Sequence, residues 1–231
     1  MKHSLNNLFS LAVLTSLGMI CTQASAQYVR ESTSIGTELN LALPVNSSGA
    51  GNYWTGLLNI TPSQEKGGNG TSFAAFCIDP SQYANGDVSN YALSSGLSGL
   101  GDTAKAALVS NLYSNSYASS IGNTTDAAAF QLALWDLAKD DGVLTSGNVQ
   151  ITQSTNLDVV GRANSMITGA KSGAGSAQYS FSLYTSATAQ DYVVATSVTA
   201  VPEPETYAMM LSGMCLLGFT ARRRMQKAKR I

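Results

Sequence analysis

Hydrophobic residues in the first third of the chain alternate with polar ones in patterns typical of β-strands. Positions 35–45 alternate loosely, and positions 53–60 form a second such segment. The run 72–78 is almost entirely apolar and lies between a Gly-rich turn at 66–70 and the Asp-Pro pair at 79–80. A short apolar run bounded by turns is typical of a strand buried on both faces. The pattern therefore predicts three strands.

The hydrophobic period becomes helical after the Gly- and Ser-rich loop predicted at 94–101. One helix is predicted over 103–118, with Asp102 as a suitable N-cap. A second and strongly apolar helix is predicted over 127–138, and a weaker third helix at about 156–168.

Two further segments, 179–184 and 192–198, alternate again and are predicted to be closing strands. Strands followed by helices and then by strands favour an α+β fold. We expect residues 27–200 to form an antiparallel β core, either a sandwich or barrel-like, with an inserted helical lobe.

Composition and charge narrow the range of functions. The chain has 231 residues, of which 44% are hydrophobic, too many for a disordered protein. Residues 27–201 carry six Lys or Arg and twelve Asp or Glu, and this net-acidic body argues against nucleic-acid binding. His3 is the only histidine. A mature body without it has no Ser-His-Asp or Cys-His site, so we expect no enzyme, no cofactor and no metal site.

The N-terminus has the features of a secretory signal peptide over residues 1–26. Lys2 precedes a mostly apolar stretch at 8–20, and small residues stand at Ala24 and Ala26. This order predicts cleavage by signal peptidase just before Gln27. The body is therefore expected to be exported.

The C-terminus, residues 201–231, divides into three parts. A stiff Pro-Glu-Pro motif within 201–205 precedes an apolar stretch at 206–221, which predicts a membrane helix. The basic tail at 222–231 is expected in the cytoplasm, which leaves the body outside. The residues that define the motif and the start of the tail are Pro202, Glu203 and Pro204, and Arg222, Arg223 and Arg224.

This tripartite C-terminus resembles a PEP-CTERM sorting signal. The resemblance implies processing by an exosortase near the Pro-Glu-Pro motif. It also implies that an inner-membrane-anchored precursor gives rise to a protein of the cell envelope, cell surface or extracellular matrix. The expected bacterium is Gram-negative and makes exopolysaccharide, which is a candidate partner in a biofilm matrix.

Cys77 is expected to be the sole thiol of the mature body. Cys21 leaves with the signal peptide, and Cys215 lies in the sorting segment. A single exported thiol has no disulfide partner and is exposed to oxidation unless it is buried or bonded. The sequence leaves open whether Cys77 is simply a small core residue.

Gln131 presents a related problem, because apolar residues surround it on the helix predicted over 127–138. Such a helix should be largely buried. An unpaired buried amide costs about 1–3 kcal/mol, so something must satisfy it. A thiolate at Cys77 that attacked the Gln131 carbonyl and expelled ammonia would form an internal thioester. Phe76 and Trp135 are the aromatic residues expected to cover that bond.

The two segments 76–79 and 130–136 resemble the Cys and Gln motifs of the thioester domains of bacterial surface adhesins. Gln131, Ala133 and Trp135 match the Gln motif, Leu134 replaces an Ile, and Phe130 replaces a Thr. The resemblance implies a Cys77–Gln131 thioester that reacts with an amine nucleophile and tethers the protein covalently to a surface or matrix component.

Other interpretations remain open. The body could be a non-covalent carbohydrate-binding or structural matrix module. Its sugar-binding face would then be lined by five tyrosines, although ordinary packing of these rings is favoured: Tyr113, Tyr117, Tyr179, Tyr184 and Tyr192. Asp79 could orient Cys77 or cap the turn before Pro80. The acidic residues Asp136, Asp140 and Asp141 lack EF-hand spacing, and a solvated acidic patch is favoured over a calcium site.

Overall fold

The computed structural model describes residues 27–43, 51–84, 88–152, 155–198 and 209–214. The signal peptide predicted at 1–26 lies outside these residues. Between residues 27 and 198, the described segments form seven strands and three α-helices. They are β1 (Gln27–Ala42), β2 (Gly51–Ser63), β3 (Phe73–Cys77), β4 (Val88–Ser95), α1 (Thr103–Ser120), α2 (Thr124–Lys139), β5 (Gln150–Ile151), α3 (Leu157–Ser172), β6 (Tyr179–Thr185) and β7 (Tyr192–Ser197).

All strand pairs are antiparallel, in the order β2-β3-β7-β6-β4-β1-β5. A further pairing of β2 with β1 joins the two ends of this strand order, so six strands form a closed ring. The short strand β5 pairs with the end of β1 and is not part of the ring. The α+β class with an antiparallel sheet and an inserted helical part is therefore confirmed.

The ring encloses a small cluster of side chains, which we call the ring interior. Strand residues alternate between two faces, so the residues of one face share this interior. Its buried members are Val29, Leu58, Ile60, Ala75, Tyr91, Tyr184, Ala189, Tyr192 and Val194.

A larger core lies on the other face of the sheet, beneath the three helices. Helix α2 is its centre, and every residue from Ala127 to Ala138 is buried. The helix packs against α1 and α3 and also against β1 and β2. Because α2 has no exposed face over this span, each of its polar side chains must find its partner inside the protein.

Polar side chains define where the three helices begin. Asp102 accepts hydrogen bonds from the backbone N–H groups at the start of α1, and Asn123 and Asn156 do the same for α2 and α3. Each side chain satisfies amides that have no partner within the helix. These N-caps place α2 at Thr124–Lys139, slightly longer than the predicted 127–138.

The predicted strands and helices are present, but three strand segments were not predicted. They are the first residues of β1, all of β4 and the two-residue β5. Strand β4 continues into the predicted loop as far as Ser95, and a 3₁₀ turn at Ser98–Leu100 follows. Its sequence, VSNYALSS, has too few apolar residues to give a clear strand pattern.

Only residues 209–214 of the predicted membrane segment 206–221 are described, and they are helical. Within the described parts of the chain, no helix is both long enough and apolar enough to span a bilayer. The membrane-anchor helix therefore stays a prediction.

The long β1–β2 ribbon depends on two glycines that face each other. Gly36 and Gly56 are register partners. Gly56 has a φ of 149°, and a Cβ built on it would lie 2.3 Å from the carbonyl oxygen of Ile35. A side chain at this position would therefore push the two strands apart.

We expect Gly56→Ala to lower the free energy of unfolding by about 1–3 kcal/mol or more, because the new methyl group has no room. Gly161→Ala is the matched control. This position is an exposed residue of α3 with open space around its Cβ, so the same change should stabilise the protein by about 0.5–1 kcal/mol. Denaturant unfolding of both variants tests the contrast, and equal effects would contradict it.

Candidate functional site

Cys77 is the last residue of β3 and lies directly opposite Tyr192 of β7. The N–H of the next residue, Ile78, donates to the carbonyl of Asp191, so the Cys77–Tyr192 pair is a non-hydrogen-bonded one. Side chains of such pairs approach each other closely. Cys77 is a free cysteine of intermediate burial, and it packs against the ring interior.

The side chain of Gln131 binds the backbone of Cys77 through both of its amide atoms. Its Oε1 accepts a hydrogen bond of 3.0 Å from the Cys77 N–H, and its Nε2 donates one of 2.7 Å to the Cys77 carbonyl. Gln131 is only 1% exposed. These two bonds give a hydrogen-bond partner to both polar atoms of the buried Gln131 amide.

The geometry of β2 makes room for this contact. Strand β2 pairs with β3 only from Leu58 to Ile60, opposite Ala75 to Phe73. Beyond Leu58, β2 continues with β1 only, so among the described residues no strand lies beside Cys77 on the edge of β3 away from β7. The Gln131 amide supplies the two hydrogen bonds that a neighbouring strand residue would have made.

The environment of Cys77 favours the neutral thiol. Burial, and to a smaller extent the negative charge of Glu31, raise the pKa of the Cys77 thiol well above its ordinary value. The Glu31 carboxylate in turn accepts a hydrogen bond from the Tyr192 hydroxyl. The sequence did not predict that Glu31 and Tyr192 lie beside Cys77, because their approach depends on closure of the ring.

A cavity of about 380 Å³ opens at Cys77. Its walls are mostly apolar and include Trp54 and Leu58 of β2, Glu31 of β1 and Trp135 of α2. Trp135 is 4% exposed, and among the described residues its indole N–H has no hydrogen-bond partner. Cys77 is thus part of the wall of a cavity large enough for a small molecule.

The two aromatic residues predicted to cover the site lie in different places. Trp135 lines the cavity beside Cys77. Phe76 is fully buried in the core beneath the helices, where its ring centroid lies 4.6 Å from that of Phe130. Because neighbouring strand residues face opposite sides, Phe76 points away from the side chain of Cys77.

Asp79 fixes the chain just after Cys77. Its carboxylate accepts from the N–H and hydroxyl of Ser81, and it forms a 2.9 Å ion pair with Lys139 at the end of α2. Burial opposes ionisation of Asp79, but the bonds from Ser81 and Lys139 outweigh it, so its pKa is lowered. Asp79 therefore both caps the turn and ties β3 to α2.

The three acidic residues at the end of α2 do not form the solvated patch that the sequence favoured. Asp136 is fully buried, Asp140 is half-buried and only Asp141 is exposed. Burial and the neighbouring charges of Asp140 and Asp141 raise the pKa of Asp136 to about 7. The prediction was wrong because α2 remains in the core to its last turn.

The remaining predicted residues either pack inside the protein or lie outside the described part of the chain. Four of the five tyrosines considered for a sugar-binding face are buried, namely Tyr113, Tyr117, Tyr184 and Tyr192, and Tyr179 is of intermediate burial. Gln27 begins β1. The residues outside the described ranges are Ala24, Ala26, Pro202, Glu203, Pro204, Arg222, Arg223 and Arg224.

Two solved structures are similar to this chain. The N-terminal thioester domain of a surface protein from Clostridium perfringens is similar in structure, with a TM-score of 0.44, 14% identity, and coverage of 75% of this chain and 99% of that one. The N-terminal domain of the Streptococcus pyogenes pilus tip adhesin Cpa gives a TM-score of 0.42, 14% identity, and coverage of 78% and 97%.

Comparison with curated protein sequences gives no match. Residues 200–224 match the PEP-CTERM protein-sorting motif. This motif marks the chain as an exported, envelope-associated protein that carries a signal for processing by an exosortase.

Proposed function

We propose that Cys77 and Gln131 form an internal thioester, through which the exported protein attaches covalently to an amine-bearing surface or matrix component. The observation that carries this proposal is the pair of hydrogen bonds between the Gln131 amide and the Cys77 backbone. They hold the amide carbon beside the residue whose sulfur would attack it. Proximity of this kind removes much of the entropic barrier to reaction.

The same hydrogen bonds suit the chemistry of thioester formation. As sulfur adds to the amide carbon, negative charge develops on Oε1, which already accepts from the Cys77 N–H. The Nε2 atom, held by the Cys77 carbonyl, departs as ammonia when the C–N bond breaks. The thiol proton leaves with that nitrogen, so the step needs no co-reactant.

The raised pKa of the thiol means that a proton must leave sulfur before or during the attack. Glu31 shares the cavity with Cys77, and its charge acts on the thiol. We assign to Glu31 the transfer of this proton to the departing nitrogen. A slow step is sufficient here, because the bond has to form only once in each molecule.

Attachment to a partner breaks the thioester bond. An amine that enters the cavity attacks the thioester carbonyl, a new amide bond forms, the C–S bond breaks, and Cys77 regains its thiol. Until then the apolar wall formed by Trp135 limits the access of water. We assign the covering role to Trp135 alone, because Phe76 lies on the opposite face of β3.

The sorting signal determines where this reaction would take place. We propose that signal peptidase removes residues 1–26, that residues 206–221 hold the precursor in the inner membrane with its C-terminus in the cytoplasm, and that an exosortase cuts near Pro204. The released body then reaches the cell surface or matrix, where exopolysaccharide or neighbouring proteins present amines. The buried tyrosines give no support to the alternative of a sugar-binding face.

The thioester has a direct signature in the intact mass of the protein. We expect the exported, processed chain to be lighter than its sequence by the mass of one ammonia, with no alkylatable thiol. Cys77→Ala is the control, because the backbone bonds to Gln131 persist while the nucleophile is gone, and it should show its full sequence mass. A wild-type protein at full mass with a freely alkylated Cys77 would contradict the proposal.

Reaction with a small amine provides a second test. Incubation with methylamine should add one methylamine to the thioester form and release one equivalent of thiol at Cys77. Peptide mapping should locate the adduct at Gln131. Cys77→Ala should acquire no adduct, and labelling at Gln131 in that variant would show that the reaction does not pass through a thioester.

The covering role of Trp135 can be separated from general packing. Trp135→Leu and Phe76→Leu both remove an aromatic ring from a buried site, so both should lower stability, by about 1–4 kcal/mol. Only Trp135→Leu should shorten the lifetime of the thioester in water, measured as the gain of one water, which leaves a carboxylate at position 131 and a free thiol at Cys77. Equal lifetimes in the two variants would remove Trp135 from this role.

A further inference from the structure

We propose that Asp136, Asp140 and Asp141 form a binding site for a hard divalent cation, of which calcium is the best fit. Each residue offers one carboxylate oxygen, and these oxygens all lie within 4.8 Å of one another. Oxygens that share one Ca²⁺ can be at most about 5 Å apart, which is twice the Ca–O distance of about 2.3–2.6 Å. The three carboxylates are therefore close enough to bind the same ion.

A buried oxygen of Asp136 points to a ligand independently of the spacing of the three carboxylates. This residue is fully buried, and its Oδ1 accepts a hydrogen bond of 3.1 Å from the Gly142 N–H. Its Oδ2 is buried as well and has no hydrogen-bond partner among the described residues. Buried carboxylate oxygens normally have a partner, and leaving one without a partner costs stability. A cation at the cluster would supply it.

Protein cations do not fill this place. Among the described residues, the ion pairs involve Asp79, Asp126 and Asp158, and none involves the three acidic residues of the cluster. The ammonium group of Lys171 approaches the same loop but donates to the carbonyl of Gly142. Three neighbouring carboxylates without a counter-ion repel one another, and a bound divalent cation would remove this repulsion.

The donor set favours calcium over other metals. The cluster offers oxygen ligands only, which select hard cations over zinc or copper. The carboxylates come from the last turn of α2 and the loop that follows it, so their geometry is irregular. Calcium accepts irregular coordination, whereas magnesium demands a near-ideal octahedron with shorter bonds. Millimolar calcium outside the cell matches the affinity usual for exported domains.

The proposal is tested by thermal unfolding and calorimetric titration of the purified full chain in CaCl₂, MgCl₂ or EDTA. Calcium at about ten times its dissociation constant should raise the unfolding temperature by about 3–6 °C. Magnesium should give a smaller shift. No shift and no binding heat with calcium up to 10 mM, roughly ten times the weakest dissociation constant usual for exported domains, would overturn the proposal.

Variants assign the effect to the cluster. Asp136→Asn preserves the shape of the side chain and should abolish the calcium shift. Asp141→Asn keeps the Oδ1 that accepts from the Val143 N–H at this exposed position and should weaken binding at least about tenfold. The control Glu38→Gln removes a charge from an exposed position on β1 and should leave the shift unchanged. An equal calcium shift in Asp141→Asn and in the wild type would overturn the assignment. Cys77→Ala should respond like the wild type, since the site does not depend on the thioester.

Discussion

The two hydrogen bonds between the Gln131 amide and the Cys77 backbone are the constraint on which the site depends. They exist because the pairing of β2 with β3 ends at Ala75, two residues before Cys77, and because α2 lies against the edge that is thereby uncovered. An apolar side chain at position 131 would leave the N–H and carbonyl of Cys77 without partners. The contact therefore satisfies the polar atoms of the buried Gln131 amide and of the strand edge at Cys77. This structural role does not require a reaction between the two residues.

Burial has opposing effects on the proposed chemistry. It keeps water from the bond once formed, and Trp135 contributes to this on the cavity side. It also raises the pKa of the Cys77 thiol, which slows the attack that forms the bond. A slow attack is acceptable for a bond that forms only once during maturation. The formed thioester must be protected from water for much longer than its formation takes. An enzyme that turns over many times could not accept the same compromise.

The sequence predicted the strands and helices that have a clear hydrophobic period. It also singled out Cys77 and Gln131, because a lone thiol and a lone amide are unusual among apolar neighbours. Helix α2 could be located because it is apolar all round, and Gln131 was conspicuous there for the same reason. The closure of the ring could not be predicted, since it depends on which strands pair. Glu31 and Trp54 therefore had no signal in the sequence, and nothing in it placed Tyr192 beside Cys77. Strand β4 was missed because its sequence, VSNYALSS, has too few apolar residues to give a clear alternating pattern.

The burial of Asp136 follows from the same property of α2, and it shows how polar residues on a fully buried helix should be interpreted. Gln131 and Asp136 are the two polar residues between Ala127 and Ala138, and neither can turn toward solvent. Gln131 has both of its polar atoms satisfied by one backbone residue. Asp136 has one oxygen satisfied and one that has no partner in the part of the chain the structure describes. A polar group on a helix that is buried on every side cannot bond to water, so it needs a specific partner. Each such group therefore indicates where the protein binds or reacts.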